Sequence, residues 1–101
     1  MDDILDKIAS NKWKNIKILY EHDYMYIIYG NFKEKNKIEK RIGICWYNFP
    51  QRGGRITPII LDKEIEKIFL SGLMNKAILE KDKSLRNKIE ECIKFLEENE
   101  L

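Results

Sequence analysis

The fold is decided by residues 13–29, which read WKNIKILYEHDYMYIIY. In the first half of this stretch Ile16, Ile18 and Tyr20 alternate with polar residues, which is the period of a β-strand. The polar pair that follows predicts a tight turn. Residues 24–29 then carry aromatic or β-branched side chains at almost every position. Because both faces of this second strand are apolar, we expect it to lie centrally in a sheet.

The residues that follow this hairpin predict two further strands. Residues 30–37 are polar and rich in lysine, and they are predicted to connect the second strand to the third. Residues 38–46 resume the alternation, with isoleucines and Trp46 on one face. Residues 56–61 predict a fourth strand. Pro58 has no N–H to donate, so this strand is expected at a sheet edge or to be irregular.

Helical patterns flank the predicted strands. Residues 2–8 predict a short helix with acidic residues at its positive end. Asp62 is predicted to cap a helix whose apolar residues cover more than half of its circumference, so we expect burial on two sides. Asp82 or Ser84 then caps a last helix with one narrow apolar face. The whole is a single α+β domain over residues 1–101: a short N-terminal helix, a four-stranded antiparallel meander and two C-terminal helices packed on one face.

The composition excludes several classes of protein. Hydrophobic residues make up 44% of the 101 residues, and 19 basic against 17 acidic residues leave a net charge of +2, which is typical of a globular chain. No apolar run approaches the roughly 18 residues of a membrane-spanning helix, and no charged-then-apolar leader opens the sequence. Ile, Lys and Asn fill 40 positions, which favours a low-GC bacterium or its phages as the source. We expect a cytoplasmic protein that does not bind a membrane.

The cysteines and the histidine limit the possible chemistry. Cys45 and Cys92 lie far apart without a CxxC partner, so neither a disulfide framework nor a zinc site is indicated. Both are expected to be core residues of a reduced, intracellular protein. His22 is the only histidine, which excludes multi-histidine metal sites. We expect neither a metal nor another cofactor.

Charge is distributed unevenly along the chain. Residues 33–55 contain seven basic and two acidic residues, a net of +5, so the remaining residues carry −3. Such a local positive field attracts phosphates, nucleotides or nucleic acid. For residues 33–37 the alternative is a solvated, lysine-rich turn that keeps a sheet edge from aggregating.

The segment 45–55 combines features of an anion-binding loop. It reads CWYNFPQRGGR, with three aromatic residues followed by two arginines around a Gly-Gly pair. Aromatic faces can stack on a base, guanidinium groups bind phosphates bidentately, and glycines let main-chain N–H groups approach an anion. The predicted ligand-binding residues are Trp46, Tyr47, Phe49, Arg52, Gly53, Gly54 and Arg55. The structural alternative is an ordinary Gly-Gly hairpin turn with Trp46 in the core.

Three functions are compatible with this segment. The first is a small non-enzymatic protein that binds an anionic nucleotide-like ligand or short nucleic acid, such as a sequestering or anti-defence protein of a phage or mobile element. The second is a protein–protein interaction module or inhibitor that docks through the same loop or through an apolar helix face. The third is a metal-independent ribonuclease, for which the chain offers His22, Tyr24, Tyr26, Tyr47, Arg52 and Arg55.

The apolar content also predicts self-association. Eleven aromatic residues and a helix that is apolar on two sides exceed what one small core needs. The candidate contact surface is either Phe69, Leu70, Met74 and Ile78, all within residues 69–78, or the stripe from Leu85 to Leu96. We therefore expect a homo-oligomer.

Overall fold

In a computed structural model of the chain, the structure describes residue 8, residues 12–46 and residues 58–98. These ranges contain four strands and two helices: β1 (Trp13–His22), β2 (Met25–Glu34), β3 (Lys37–Trp46), β4 (Ile59–Ile60), α1 (Lys63–Leu79) and α2 (Lys83–Glu97). Neighbouring strands pair antiparallel in the order β1-β2-β3-β4. The predicted α+β class, the four-stranded meander and the two C-terminal helices are confirmed.

The chain divides into a sheet unit, Met1–Leu61, and a helical unit, Asp62–Leu101. In the sheet unit β2 and β3 are central, while β1 and the two-residue β4 form the edges. The fourth strand is predicted over residues 56–61, at an edge or irregular, and its edge position is confirmed, with Ile59 and Ile60 paired to β3. None of the helices in the described ranges is long and apolar enough to cross a membrane.

Two predicted boundaries differ from the structure. The connection expected over residues 30–37 is wrong: β2 continues to Glu34 and pairs with β3 along its whole length, so the turn is confined to Lys35 and Asn36. The polar residues Lys33 and Glu34 are exposed, but they belong to the end of β2 and not to a connection. Of the predicted N-terminal helix only Ile8 lies within the described residues, and it forms a single β-bridge, so the helix is not confirmed.

Trp13 organises one face of the sheet, which we call the Trp13 face. Its side chain is 2% exposed and stands directly opposite Phe32, with the ring centroids 5.1 Å apart. The ring also reaches across to β3, where a Cβ on Gly43 would come within 3.1 Å of it. Glycine at this position therefore gives the indole room. The buried cluster on this face comprises Ile8, Trp13, Ile28, Phe32 and Cys45.

A β-bulge interrupts β1 just after this tryptophan. Lys14 pairs with Asn31 and Lys17 pairs with Tyr29, so two residues of β1 stand opposite Gly30 alone. The first of the two, Asn15, has a φ of 56°, a left-handed conformation that asparagine tolerates better than most residues. A Cβ on Gly30 would lie 2.9 Å from the Lys14 carbonyl oxygen. The bulged main chain thus occupies the space that a side chain at Gly30 would need.

The helical unit begins and ends its helices as the sequence indicates, but not all of its apolar residues are buried. The Asp62 carboxylate accepts a hydrogen bond from Glu64 N at 2.8 Å, and Asp82, rather than Ser84, caps α2 by accepting from Leu85 N at 3.0 Å. The expected burial of α1 on two sides is wrong. Its exposed apolar side chains are Ile65, Ile68, Ile78 and Leu79.

Two glycine-to-alanine substitutions test this fold in opposite directions. Gly30→Ala is expected to destabilise the protein by about 1–3 kcal/mol, because the new methyl group meets bulged main chain that cannot rotate away. Gly72→Ala, the matched control, lies in α1 with nothing within 4 Å of its Cβ and is expected to stabilise by about 0.5–1 kcal/mol. Chemical denaturation followed by circular dichroism measures both free energies of unfolding. A Gly30→Ala protein as stable as the wild type would contradict the bulge.

Candidate functional site

The predicted ligand-binding residues lie mostly beyond the described ranges. Trp46 is described, as the last residue of β3. The others fall outside: Tyr47, Phe49, Arg52, Gly53, Gly54 and Arg55. The structure therefore places only Trp46 of this segment, and the role of its arginines and glycines stays a prediction.

Trp46 is a surface residue. It is 37% exposed, whereas Trp13 is 2% exposed, so the alternative that Trp46 belongs to the core does not hold. Trp46 pairs with Met25, and Met25 pairs with His22, so the three side chains form one cross-strand row on the same face. Tyr24, in the adjacent turn, is 61% exposed and has a φ of 68°. Trp46 thus lies at an end of the sheet that carries exposed aromatic groups.

The face that carries Trp46 also carries a group of lysines, and we call it the lysine face. Lys14 and Asn31 stand directly opposite each other, as do Asn31 and Lys40. The next cross-strand position on the same face, beyond Lys14 and Asn31, is formed by Lys12 and Lys33. There Lys33 N donates to the carbonyl oxygen of Lys12 at 2.7 Å, which sets these two lysines opposite each other. Directly opposed residues of an antiparallel pair share a face, with Cβ atoms about 5 Å apart. The lysines therefore occupy adjacent cross-strand positions.

The bulge at Asn15 determines how many lysines this face holds. Lys14 and Lys17 are three residues apart, so in a regular strand they would point to opposite faces. Their partners Asn31 and Tyr29 are two residues apart on β2 and share a face. The extra residue therefore turns both lysines to the lysine face, which is a known role of bulges at sheet edges.

Acidic residues of the strands are found on the Trp13 face instead. Glu39 lies 2.9 Å from Arg41 Nη1 and 3.7 Å from Lys37 Nζ, and Arg41 Nη2 donates to the Leu61 carbonyl oxygen at 2.7 Å. A cleft of about 300 Å³ on this side has a lining of mixed charge: Phe32, Glu34, Lys35, Lys37 and Glu39. The basic block predicted over residues 33–55 is thus divided, and part of it is neutralised by neighbouring carboxylates.

The described strands contribute lysines but no acidic residue to the lysine face. Among the described residues this face of the sheet carries five lysines and no carboxylate: Lys12, Lys14, Lys17, Lys33 and Lys40. No ion pair in the described part of the chain involves the first three. Lysines that stand opposite each other repel, which costs stability. An anion bound between them would relieve that repulsion.

Within the described part of the chain, the groups that could perform catalysis are poorly placed for it. Burial raises the pKa of the Cys45 thiol to about 11, and burial together with the Glu66 carboxylate raises that of Cys92 to about 12, so both stay protonated at neutral pH. His22 Nε2 lies 3.2 Å from Asp23, and both side chains are mostly exposed. Tyr26 packs against the cluster of the Trp13 face, away from His22. No three His, Cys, Asp or Glu side chains of the described ranges converge as metal ligands do.

Sequence patterns missed the lysines of β1 as site residues. Read as a regular strand, Lys14 shares a face with Ile16 and Ile18. The available signal is Asn15, which tolerates positive φ, but only the pairing with Gly30 shows that it forms a bulge. The chain matches no protein-family model, no curated protein and no solved structure.

Proposed function

We propose that this chain is a non-enzymatic protein that binds an anionic, nucleotide-like ligand or short nucleic acid. The ligand would contact the loop predicted from the sequence, with Trp46 and the other aromatic residues stacking on a base. Arg52 and Arg55 would bind phosphate, and Gly53 and Gly54 would offer main-chain N–H groups. The observation that supports this proposal is the partial exposure of Trp46 at the point where the loop leaves β3.

The distribution of charge between the two units favours an anionic ligand at the sheet unit. Residues 1–61 contain eleven basic and seven acidic residues, a net of +4, and residues 62–101 contain eight basic and ten acidic residues, a net of −2. The two values add to the +2 of the whole chain. A field of this kind raises the local concentration of phosphate groups near the sheet unit and disfavours their approach to the helical unit.

Tryptophan fluorescence tests the proposal, because the two tryptophans differ so strongly in exposure. A nucleotide stacked on Trp46 is expected to quench its emission, while the buried Trp13 contributes a constant background. Trp46→Phe should abolish the quenching, and Arg52→Ala with Arg55→Ala should weaken nucleotide binding roughly 10-fold or more, since charged hydrogen bonds contribute about 1.5–3 kcal/mol each. Nucleoside mono-, di- and triphosphates are the ligands to titrate.

The matched control replaces Arg86 and Lys88 by alanine. Both residues are exposed on α2, so the control removes the same charge as the loop variant, but from the helical unit. This control protein should bind as the wild type does. Equal weakening by both double variants would show a response to net charge and not to the loop. Quenching that survives in Trp46→Phe would place the ligand elsewhere, and absence of quenching by any nucleotide would contradict the proposal.

A protein partner or a second copy is supported by a different observation. Ile68, with 66% of its surface exposed, lies near Ile65 on one side of α1, where exposed branched apolar side chains favour association. We propose that the expected homo-oligomer forms through this side of α1 and not through the residues 69–78 as a whole. Ile68→Glu should then lower the mass measured by light scattering. A wild-type protein that is monomeric at high concentration would contradict self-association.

A further inference from the structure

We propose that the edge strand β1 is a binding track for the backbone of a single-stranded polynucleotide. This inference rests on the proposed function and narrows its ligand from a nucleotide-like anion to a strand. The track consists of Lys12, which directly precedes β1, and of four β1 side chains on the lysine face: Lys14, Lys17, Tyr20 and His22. It begins with three lysines and ends with two ring-bearing residues.

The spacing of the lysines is regular only because of the bulge. Lys12, Lys14 and Lys17 stand opposite successive lysine-face residues of β2, so at a rise of about 3.3 Å per residue they recur roughly every 7 Å. This is close to the separation of successive phosphates along an extended single strand. Without the extra residue opposite Gly30, one of the three would point to the Trp13 face. The bulge therefore converts an irregular run of lysines into an even row.

A second bulge continues the same alignment toward the aromatic end of the sheet. Ile18 pairs with Ile28 and Tyr20 pairs with Ile27, so Leu19 is an extra residue and Tyr20 returns to the lysine face. His22 follows on that face, in the row that contains Trp46. Charged residues that contact phosphates and rings that stack on bases are the two components of single-strand binding surfaces. β1 supplies both along one line.

The length of the track favours a strand over a mononucleotide. From Lys12 to His22 the track stands opposite nine residues of β2, Met25 to Lys33, and the eight steps between them span roughly 27 Å. Between its ends the lysine face is buried at Ile27, Tyr29 and Ile42, and Leu19 of β1 is buried as well. A ligand that contacts both ends therefore runs along the outer edge of β1, past the exposed Lys17 and the half-buried Tyr20, and not over the middle of the face. A single nucleotide bound beside Trp46 cannot contact Lys12. A strand of several nucleotides can.

The edge position leaves room for a strand along β1. Lys12, Lys14 and Lys17 are all exposed, and they carry no ion pair within the described ranges. Edge strands commonly carry lysine to prevent pairing with other chains. This protective role requires charged side chains, but it does not require that they all lie on the same face of the sheet. Placement of all three on one face, opposite Lys33 and away from every carboxylate of the strands, goes beyond that requirement.

The test compares two triple variants with equal loss of charge. Lys12→Ala, Lys14→Ala and Lys17→Ala remove the track, and Lys83→Ala, Lys88→Ala and Lys94→Ala, all exposed on α2, are the matched control. Fluorescence anisotropy with labelled oligothymidylate and oligouridylate of about eight nucleotides, a length typical of single-strand modules, measures affinity over a range of salt. Circular dichroism confirms that each variant is folded.

The track variant is expected to bind either oligonucleotide at least 10-fold more weakly, while the control binds as the wild type does. The slope of log affinity against log salt should fall by about 2, since each lost phosphate contact on a single strand contributes about 0.7. Trp46 quenching by a mononucleotide should be unchanged in the track variant. Quenching by a mononucleotide therefore tests the loop separately from the track. If no mononucleotide quenches Trp46 even in the wild type, the proposed function is contradicted, whatever the track variant shows.

The inference would be overturned by results of three kinds. One is equal weakening by both triple variants, which reports net charge alone. Another is wild-type affinity in the track variant, or no binding of either oligonucleotide by the wild type. The third is equally tight binding of the wild type to polyglutamate of similar length, which would show that an acidic polypeptide, and not a polynucleotide, is the ligand.

Discussion

The close approach of Lys14 to Gly30 is the constraint on which the rest of the sheet unit depends: the Lys14 carbonyl oxygen lies 2.9 Å from the position that a Cβ of Gly30 would occupy. It allows two residues of β1 to stand opposite one residue of β2, with Asn15 in a left-handed conformation. On the N-terminal side of the bulge, Trp13 enters the core beside Phe32. On its C-terminal side the faces of β1 are exchanged. One local constraint thus determines both what is buried and what is presented to solvent.

The two faces of the sheet differ in charge as a consequence. On the Trp13 face, Glu39 neutralises Arg41, and the Arg41 guanidinium also donates to the Leu61 carbonyl oxygen at the end of the unit. On the lysine face, cationic groups are neighbours in successive rows without a carboxylate among them. Mutual repulsion of these lysines lowers the stability of the free protein. In the binding mode that we propose, a polyanion removes that penalty, so the proposed function is coupled to the stability of this face.

Much of the fold could be predicted from the sequence, because strand and helix periods and the capping aspartates Asp62 and Asp82 are local signals. Non-local features could not. The continuation of β2 beyond Gly30 depends on pairing with both neighbours, which polar composition conceals. The exposure of Ile65 and Ile68 on α1 could not be read from an apolar pattern, since the pattern does not say which side is covered.

The candidate site was only partly predictable for the same reason. Trp46 and the basic character of this region follow from composition, whereas membership of a face does not, because each bulge reverses the alternation after it. Lys14 and Lys17 share a face only once their partners on β2 are known. Lysines that look scattered along the sequence thereby become a row.

The most direct measurement of this claim is a map of backbone amide chemical shifts in ¹⁵N-labelled protein titrated with oligothymidylate. If the bulges of β1 align a polynucleotide track, the changes in chemical shift on titration will be largest along Trp13–His22 and at Lys33 and Trp46. The amide chemical shifts of α1 and α2 will stay unchanged. Shifts confined to the helices, or spread evenly over both faces of the sheet, would contradict it.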